Sequence, residues 1–190
     1  MGHSQLEKLR THERILDVAS KRFRERGLEG ISISDIMKEA GITVGGFYKH
    51  FPSKEALVSE AVGVALSDMS GWNELARVQL DSAIDHYLSS SQYDDTCACT
   101  IYSSLAADIR RSSPAVREVF DQHVGETLDA IEQGLGADGA GPFNDRALTI
   151  LAALVGASLL ARGTSDSNFS RKVLKAVSGE LHLTYFSSAP

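Results

Sequence analysis

Apolar residues recur at helical spacing along almost the whole chain. Near the N-terminus they form one stripe, at Ile15, Leu16, Ala19 and Phe23, which ends at Gly27. Segments with the same period follow, separated by short polar, glycine-containing or proline-containing stretches, at about 53–69, 74–90, 96–111, 114–135, 147–161 and 167–185. This pattern, with two shorter helices between 33 and 51, predicts an all-α fold of about nine helices.

Several helix boundaries fall between residues 41 and 57. Gly41 predicts the end of a helix over 33–40, because glycine adopts the left-handed conformation without steric cost. Thr43 is a candidate N-cap for a second short helix over 44–51. That helix ends before Pro52, which disfavours helical geometry in the preceding residue.

Two more caps complete this arrangement. Ser32, with Asp35 three positions later, forms a variant of the capping box at the start of the first short helix. Ser53 caps the helix that follows Pro52. Two short helices joined by a tight glycine turn predict a helix-turn-helix.

The second helix of such a motif enters the major groove of DNA with its N-terminal residues nearest the base edges. Here those residues are Thr43, Val44, Gly45 and Gly46. Each glycine costs about 1 kcal/mol of helix propensity relative to alanine, so a purely structural helix rarely contains two in succession. Close approach of the backbone to DNA explains them better.

The residues that follow add a phenol and cations beside the groove. Phe47 and Phe51, at i and i+4, fit core positions instead. His50 fits either a phosphate contact or an exposed position without a role. Lys54 lies at a helix N-terminus, where main-chain amides and the helix dipole favour a phosphate. The predicted DNA-binding set is Ser32, Thr43, Val44, Gly45, Gly46, Tyr48, Lys49, His50 and Lys54.

The stretches Ile33–Ile42, Gly46–Phe51 and Ser53–Leu57 resemble the TetR/AcrR transcriptional regulators in type and order. The resemblance covers about the first third of the chain. It implies a DNA-binding domain at 1–52 and a ligand-binding and dimerisation domain at 53–190. It also implies a homodimer on a palindromic operator of double-stranded DNA, usually a repressor, which a small organic effector releases.

Charge is unevenly distributed along the chain. The 190 residues carry a net charge of −6, yet the first 60 are nearly balanced and the acidic excess lies in the remainder. A DNA-binding role for the N-terminal part therefore stands. With no apolar leader after Met1 and no run of about 18 apolar residues, we expect a cytoplasmic protein with no membrane contact.

The segment 147–161 is apolar on almost every side, so it must be covered on two faces. At this length it is too short to span a bilayer. We expect one face to meet the core of its own chain and the other an identical helix in a partner, joined by the last helix. The predicted dimer interface is Leu151, Leu154, Val155, Ser158, Val173, Val177 and Leu181.

Aromatic and polar side chains of the C-terminal part are candidates for a small-molecule site. They are Met69, Trp72, Tyr87, Cys99, Tyr102, Phe120 and His123. Simple core packing is the alternative for each of them. Cys97 and Cys99 would serve a thiol-sensing regulator instead, although helical cysteines are commonly core residues.

An enzyme is the competing class of protein. The six histidines are scattered, and no recognisable catalytic motif occurs, so we predict no catalytic residue, metal or cofactor. Asp81, Asp85 and His86 come nearest to a metal cluster and fit a solvated helix face better. A helical protein-interaction module without specific DNA binding is the remaining alternative.

Overall fold

The computed structural model describes residues 2–89, 101–136 and 144–187. Within these ranges it contains nine α-helices, one 3₁₀ segment and no strand, so the prediction of an all-α fold is confirmed. The elements are α1 (Gly2–Arg26), α2 (Ile33–Glu39), the 3₁₀ segment (Val44–Lys49), α3 (Lys54–Ser67), α4 (Ser70–Val78), α5 (Leu80–Leu88), α6 (Ile101–Ile109), α7 (Pro114–Gly134), α8 (Asp145–Gly163) and α9 (Ser167–Tyr185).

The chain forms two compact units. The first contains residues 1–67 and 104–121, and the second contains 68–103 and 122–190. The first unit therefore includes α1 to α3, most of α6, the beginning of α7 and the segment between these two helices. Compactness does not reveal which segment binds which ligand, so the functional division at residue 52 stays a prediction.

The core of the first unit is built where the apolar stripe of α1 packs against α2 and α3. Ile15, Ala19 and Phe23 are at most 1% exposed, as the spacing predicted. Phe47 and Phe51 are buried to the same degree, which confirms their assignment to the core. Burial of each such large side chain is worth about 1.5–3 kcal/mol.

Local signals explain where the helices of this unit begin and end. Gly27 and Gly41 have φ of +76° and +70°, the left-handed conformation expected of a glycine that ends a helix. The Oγ of Ser32 accepts a hydrogen bond from the amide of Asp35 at 3.1 Å. Ser53 does the same for the amide of Ala56 at 3.1 Å. These four predictions are confirmed.

The second short helix differs from its prediction. It is a 3₁₀ segment over Val44–Lys49, shorter than the expected helix, and Thr43 makes no side-chain cap hydrogen bond. The amide of Gly46 instead donates to the carbonyl of Thr43 at 2.9 Å, an i to i+3 bond. Two glycines lower helix propensity, and a short 3₁₀ piece suits the narrow interval before Pro52.

The predicted helix over 74–90 is also divided in the structure. It breaks at Gln79, whose φ of −148° and ψ of 71° separate α4 from α5. No glycine or proline marks the break. Gly134 of α7 lies so close that a Cβ there would be 2.1 Å from the carbonyl oxygen of Ala76. The break therefore lies beside a close contact between α4 and α7, and no local signal in the sequence predicted it.

In the second unit, α8 and α9 pack together, and both contact α5. One face of α8 is buried within the chain, at Ala147, Ile150, Leu151, Leu154, Ala157, Ser158 and Ala161. With 19 residues, α8 is also longer than the predicted segment and would suffice to cross a membrane by length and composition. It is the one such helix in the described ranges, and core helices of soluble proteins share these properties.

Gly41 and Gly125 provide a test of the backbone argument, because a Cβ would meet nothing within 4 Å at either position. Of these two glycines, only Gly41 has a positive φ. We expect Gly41→Ala to lower the free energy of unfolding by about 1–2 kcal/mol. Gly125→Ala, inside α7, should raise it by about 0.5–1 kcal/mol. Urea denaturation followed by circular dichroism measures both, and equal effects would contradict the argument.

Candidate nucleic-acid interface

The 3₁₀ segment has one buried and one exposed side. Phe47 is 1% exposed, whereas Val44 and Tyr48 are 52% and 76% exposed. Thr43, Gly45 and Lys49 are exposed as well. The structure therefore brings most of the predicted DNA-binding residues to one short exposed stretch held from beneath by Phe47.

The two glycines of this segment have different surroundings. A Cβ on Gly46 would lie 3.1 Å from Cγ2 of Ile42, so its absence serves tight packing within the motif. A Cβ on Gly45 would meet nothing within 4 Å, and Gly45 has no positive φ. The folded chain itself gives no reason for glycine at position 45, which favours approach of an external molecule to this backbone.

Tyr48 and Lys49 follow as exposed polar side chains. The Tyr48 ring packs edge-on against Phe47, with ring centroids 5.2 Å apart, which orients the phenol although most of it is exposed. Lys49 is exposed in the last turn. The 3₁₀ segment is the predicted DNA-reading element. A phenol and an ammonium group at its end are suited to phosphate oxygens.

His50 lies against the first helix. Its ring is 6.2 Å from that of His12, which stacks on Phe51 at 4.4 Å. The Nε2 of His12 is 2.7 Å from a carboxylate oxygen of Glu60. Burial, and then the charges of His12, Lys8 and Lys49, lower the pKa of His50. Sequence reasoning missed Glu60, because it is 48 residues from His12.

Lys54 has a partner already. Its Nζ lies 3.1 Å from a carboxylate oxygen of Glu29, and its side chain is 39% exposed. Ser32, at the start of α2, is exposed but also hydrogen-bonded to Asp35. Exposed ion pairs contribute only about 0–1 kcal/mol, so a DNA phosphate can compete with Glu29 for Lys54.

An ion-pair network unnoticed in the sequence joins α1 to α2. The Nε and Nη2 of Arg22 donate to Glu39 at 2.9 and 2.7 Å, and Arg22 also contacts Glu25. The hydrogen bond to Arg22 is the main cause of the lowered pKa of Glu39. A guanidinium group held by two carboxylates fixes the orientation of the two helices.

Four of the predicted ligand-binding residues are core residues of the second unit. Met69, Trp72, Tyr87 and Tyr102 are each at most 5% exposed. Trp72 donates from Nε1 to the carbonyl of Ala83 at 2.8 Å, and its ring meets that of Tyr87 edge-on at 5.6 Å. These contacts support the packing alternative for Trp72 and Tyr87.

Tyr102 is linked to the helix that carries His123. Its hydroxyl lies 2.7 Å from Oγ1 of Thr127 and donates to the carbonyl of His123 at 3.1 Å. Burial raises the pKa of Tyr102 to about 12. The half-buried Phe120 belongs to the first compact unit, unlike the others. Cys97 and Cys99 lie outside the described residues.

Asp85, which was weighed as part of a metal cluster and assigned to a solvated helix face, contacts two side chains of α9. Asp85 accepts hydrogen bonds from Ser178 at 2.9 Å and lies 3.0 Å from Nε2 of His182. Among the described residues, no group of three His, Cys, Asp or Glu side chains could hold a metal ion.

The predicted dimer interface needs revision, because part of it is buried in its own protomer. Leu154 and Ser158 have no exposed surface, and Leu151 and Leu181 are at most 8% exposed. The opposite side of α8 exposes Leu148, Ala152 and Leu159. On α9, Ala176, Gly179 and Leu183 line a shallow groove flanked by Lys172, Lys175 and Glu180. Val155, Val173 and Val177 are half-buried.

Comparison with known proteins agrees with this geometry. A family model for bacterial regulatory proteins of the tetR family matches residues 15–61. Rv0196 of Mycobacterium tuberculosis H37Rv, an uncharacterized HTH-type transcriptional regulator, is 32% identical over 173 residues, covering 81% of this chain and 85% of that protein. The HTH-type transcriptional repressor KstR2 of Rhodococcus jostii RHA1 is 42% identical over 69 residues, which are 36% of this chain and 34% of the repressor.

Solved structures show the same fold. The reduced form of Escherichia coli NemR aligns over 95% of this chain and 99% of its own, with a TM-score of 0.76 and 19% identity. A TetR transcriptional regulator from Chloroflexus aurantiacus aligns over 94% and 96%, with a TM-score of 0.76 and 23% identity. At these identities the likeness concerns the fold.

The environment of His50 predicts a pH dependence of DNA binding. Because its pKa is lowered, the free protein holds His50 neutral near pH 7, and nearby phosphates would favour protonation. Binding then takes up protons, so affinity should rise as pH falls from 8 to 6, by at most about tenfold per pH unit per protomer. Fluorescence anisotropy with duplex DNA at fixed ionic strength measures this.

His50→Gln should flatten that dependence, whereas His86→Gln, on an exposed helix face of the second unit, should leave it intact. An unchanged dependence in His50→Gln would assign the proton uptake to another group.

Proposed function

The chain belongs to the tetR family of bacterial regulatory proteins, and we propose that it represses transcription by binding a palindromic operator as a homodimer. A small organic effector releases it from the operator. Because its target is genomic DNA, the protein acts in the cytoplasm. The function is regulatory, with no catalytic residue, cofactor or membrane contact.

One observation carries this proposal: the exposed side of the 3₁₀ segment combines accessible backbone with polar side chains. Gly45 leaves the backbone uncovered, and Tyr48 and Lys49 extend from the same six-residue element. A face used only for folding would have no need of this combination. A DNA-reading element needs both, since phosphate contacts position it and base edges provide specificity.

Each predicted residue except Gly46, which serves packing within the motif, then has a defined part in binding. Thr43, Val44 and Gly45 lie at the N-terminal end of the segment, nearest the base edges. Tyr48, Lys49 and His50 contact phosphates at its other end. Lys54 exchanges Glu29 for a phosphate, with the amides at the start of α3 behind it. Ser32 contacts the backbone from the start of α2.

A homodimer follows from the geometry of DNA. One reading element covers only a few base pairs, whereas a two-fold dimer reads two half-sites about 34–36 Å apart, or a multiple of that distance. Such a dimer has an isologous interface, in which the same surface of both protomers is used.

We place that interface on the exposed apolar side of α8 and α9. Leu159 and Leu183 are 56% and 67% exposed, and exposed apolar side chains that form a patch mark an interaction site. Leu148 and Ala152 continue the stripe along α8, and the small residues Ala176 and Gly179 let another helix approach α9 closely. Two helices from each protomer give a four-helix contact.

Effector binding releases the operator by favouring a conformation with a different separation of the two reading elements. A ligand shifts the equilibrium only as far as its affinities for the two conformations differ. The effector site belongs to the helical body predicted at 53–190. KstR2, which matches over 36% of the chain, is itself a transcriptional repressor.

Selection of random duplex DNA by the purified protein tests the operator proposal. We expect an enriched palindrome whose half-site centres are about 10–10.5 base pairs apart, or a multiple of that. Tyr48→Ala and Lys49→Ala should weaken binding to it. Because Lys49→Ala leaves one phosphate per protomer without its cation, the slope of log K against log salt should become shallower by about 0.9 for each such phosphate.

Arg117→Ala, which removes an exposed cation of α7, is the matched control and should bind as the parent protein does. No enrichment at low salt, from protein shown to be folded and dimeric, would favour a helical interaction module.

The interface proposal is tested by Leu159→Glu, since two buried charges facing across the two-fold axis oppose association. We expect monomers at micromolar concentration, measured by analytical ultracentrifugation. Val78→Glu changes a side chain that is 76% exposed on α4 and should leave the dimer intact. A dimeric Leu159→Glu protein would place the interface elsewhere.

A further inference from the structure

The C-terminal end of α1 is completed by a residue that is distant in sequence. The amide of Gly27 donates to the carbonyl of Phe23 at 2.9 Å, the single bond that ends a helix in a left-handed glycine. The next amide, that of Leu28, is not used by this motif. It donates to Oδ2 of Asp108 on α6 at 2.8 Å, across 80 residues of chain.

The contact is closely fitted. A Cβ on Gly27 would lie 2.5 Å from Oδ2 of Asp108, so only glycine lets the carboxylate reach this position. The Asp108 side chain is 19% exposed and also pairs with Arg111. Leu28 and Ile109, which adjoin the bonded groups in sequence, are both 3% exposed. A charged acceptor in such surroundings forms a stronger bond than a neutral one.

Asp108 links α6 to the connection between α1 and α2. Leu28 is the second residue of the connection from α1 to α2, the first helix of the helix-turn-helix. Asp108 lies in the last turn of α6, whose first residues, 101–103, belong to the second compact unit. Hydrogen bonds tolerate heavy-atom distances of only about 2.7–3.2 Å, so an α6 shift of 1–2 Å either moves Leu28 or breaks the bond.

We propose that Asp108 is the positioning residue that couples α6 to the DNA-reading domain, through its bond to the Leu28 amide. This inference rests on the proposed function, since it concerns how a conformational change reaches the operator-binding face. A purely structural bond would stabilise the fold without transmitting anything.

Coupling between two sites is reciprocal, which provides a test that needs no effector. If α6 affects DNA binding through Asp108, DNA bound to the reading element must change the dynamics of α6 through the same bond. Hydrogen exchange, followed by mass spectrometry of peptides covering 24–31 and 104–112, reports both ends. The probe is the duplex enriched by the parent protein, added to saturation.

In the parent protein, we expect the duplex to slow exchange in 104–112 by about fivefold or more, the lower range of common coupling factors. Asp108→Ala should speed exchange at Leu28 and abolish the duplex effect in 104–112. Asp108→Asn keeps a neutral acceptor and should show a reduced effect. Asp121→Asn, an exposed acid on α7, is the matched control and should behave as the parent protein.

Two results would overturn the coupling. One is an absence of slowing in 104–112 of the duplex-saturated parent protein, and the other is full slowing in Asp108→Ala. If Asp108→Ala fails to fold, Asp108→Asn decides, since an undiminished effect there contradicts the proposal. A parent protein that binds no duplex would refute the proposed function, a distinct result seen before any exchange is measured.

Discussion

The burial of Phe47 and Phe51 is the constraint on which the candidate DNA-binding face depends. A six-residue 3₁₀ segment with two glycines has little stability of its own. Its position is set by these two aromatic side chains, which are at most 1% exposed and whose rings lie 5.7 Å apart. Because one side is anchored so firmly, the other can leave its backbone open at Gly45.

Charged groups around this face act in two ways. The bidentate pairing of Arg22 with Glu39 joins α1 to α2 and serves orientation. The pair Lys54–Glu29 is more exposed and contributes little stability, so a polyanion can displace its carboxylate. Acidic residues beside a phosphate-binding surface therefore do not argue against DNA binding. They keep its cations ordered in the free protein.

The helix α8 shows how one apolar sequence serves two surfaces. Its buried face, from Ala147 to Ala161, packs within the protomer, while Leu148 and Leu159 stay exposed on the opposite side. A helix that is apolar all round must be covered on both sides, and in the proposed homodimer a second copy of the chain covers the outer side. By length and composition α8 would also suffice to span a membrane. Length and composition therefore do not distinguish a core helix from a membrane span.

The sequence by itself determined the all-helical fold, the helix-turn-helix and the residues at its exposed end. These follow from interactions within one or two helical turns: glycine stops at Gly27 and Gly41, serine caps at Ser32 and Ser53, and apolar periodicity. Most of the predicted DNA-binding residues therefore lie where local chemistry placed them, on the surface of one short segment.

Tertiary structure alone decided which apolar face of α8 is internal, where the helix breaks at Gln79, and which partners complete the reading domain. The Leu28–Asp108 bond spans 80 residues and the His12–Glu60 pair 48, so neither leaves a local pattern in the sequence. Trp72, Tyr87 and Tyr102, which were predicted to contact a ligand, are buried in the second unit. Periodicity shows that a side chain is buried, but only packing shows against what.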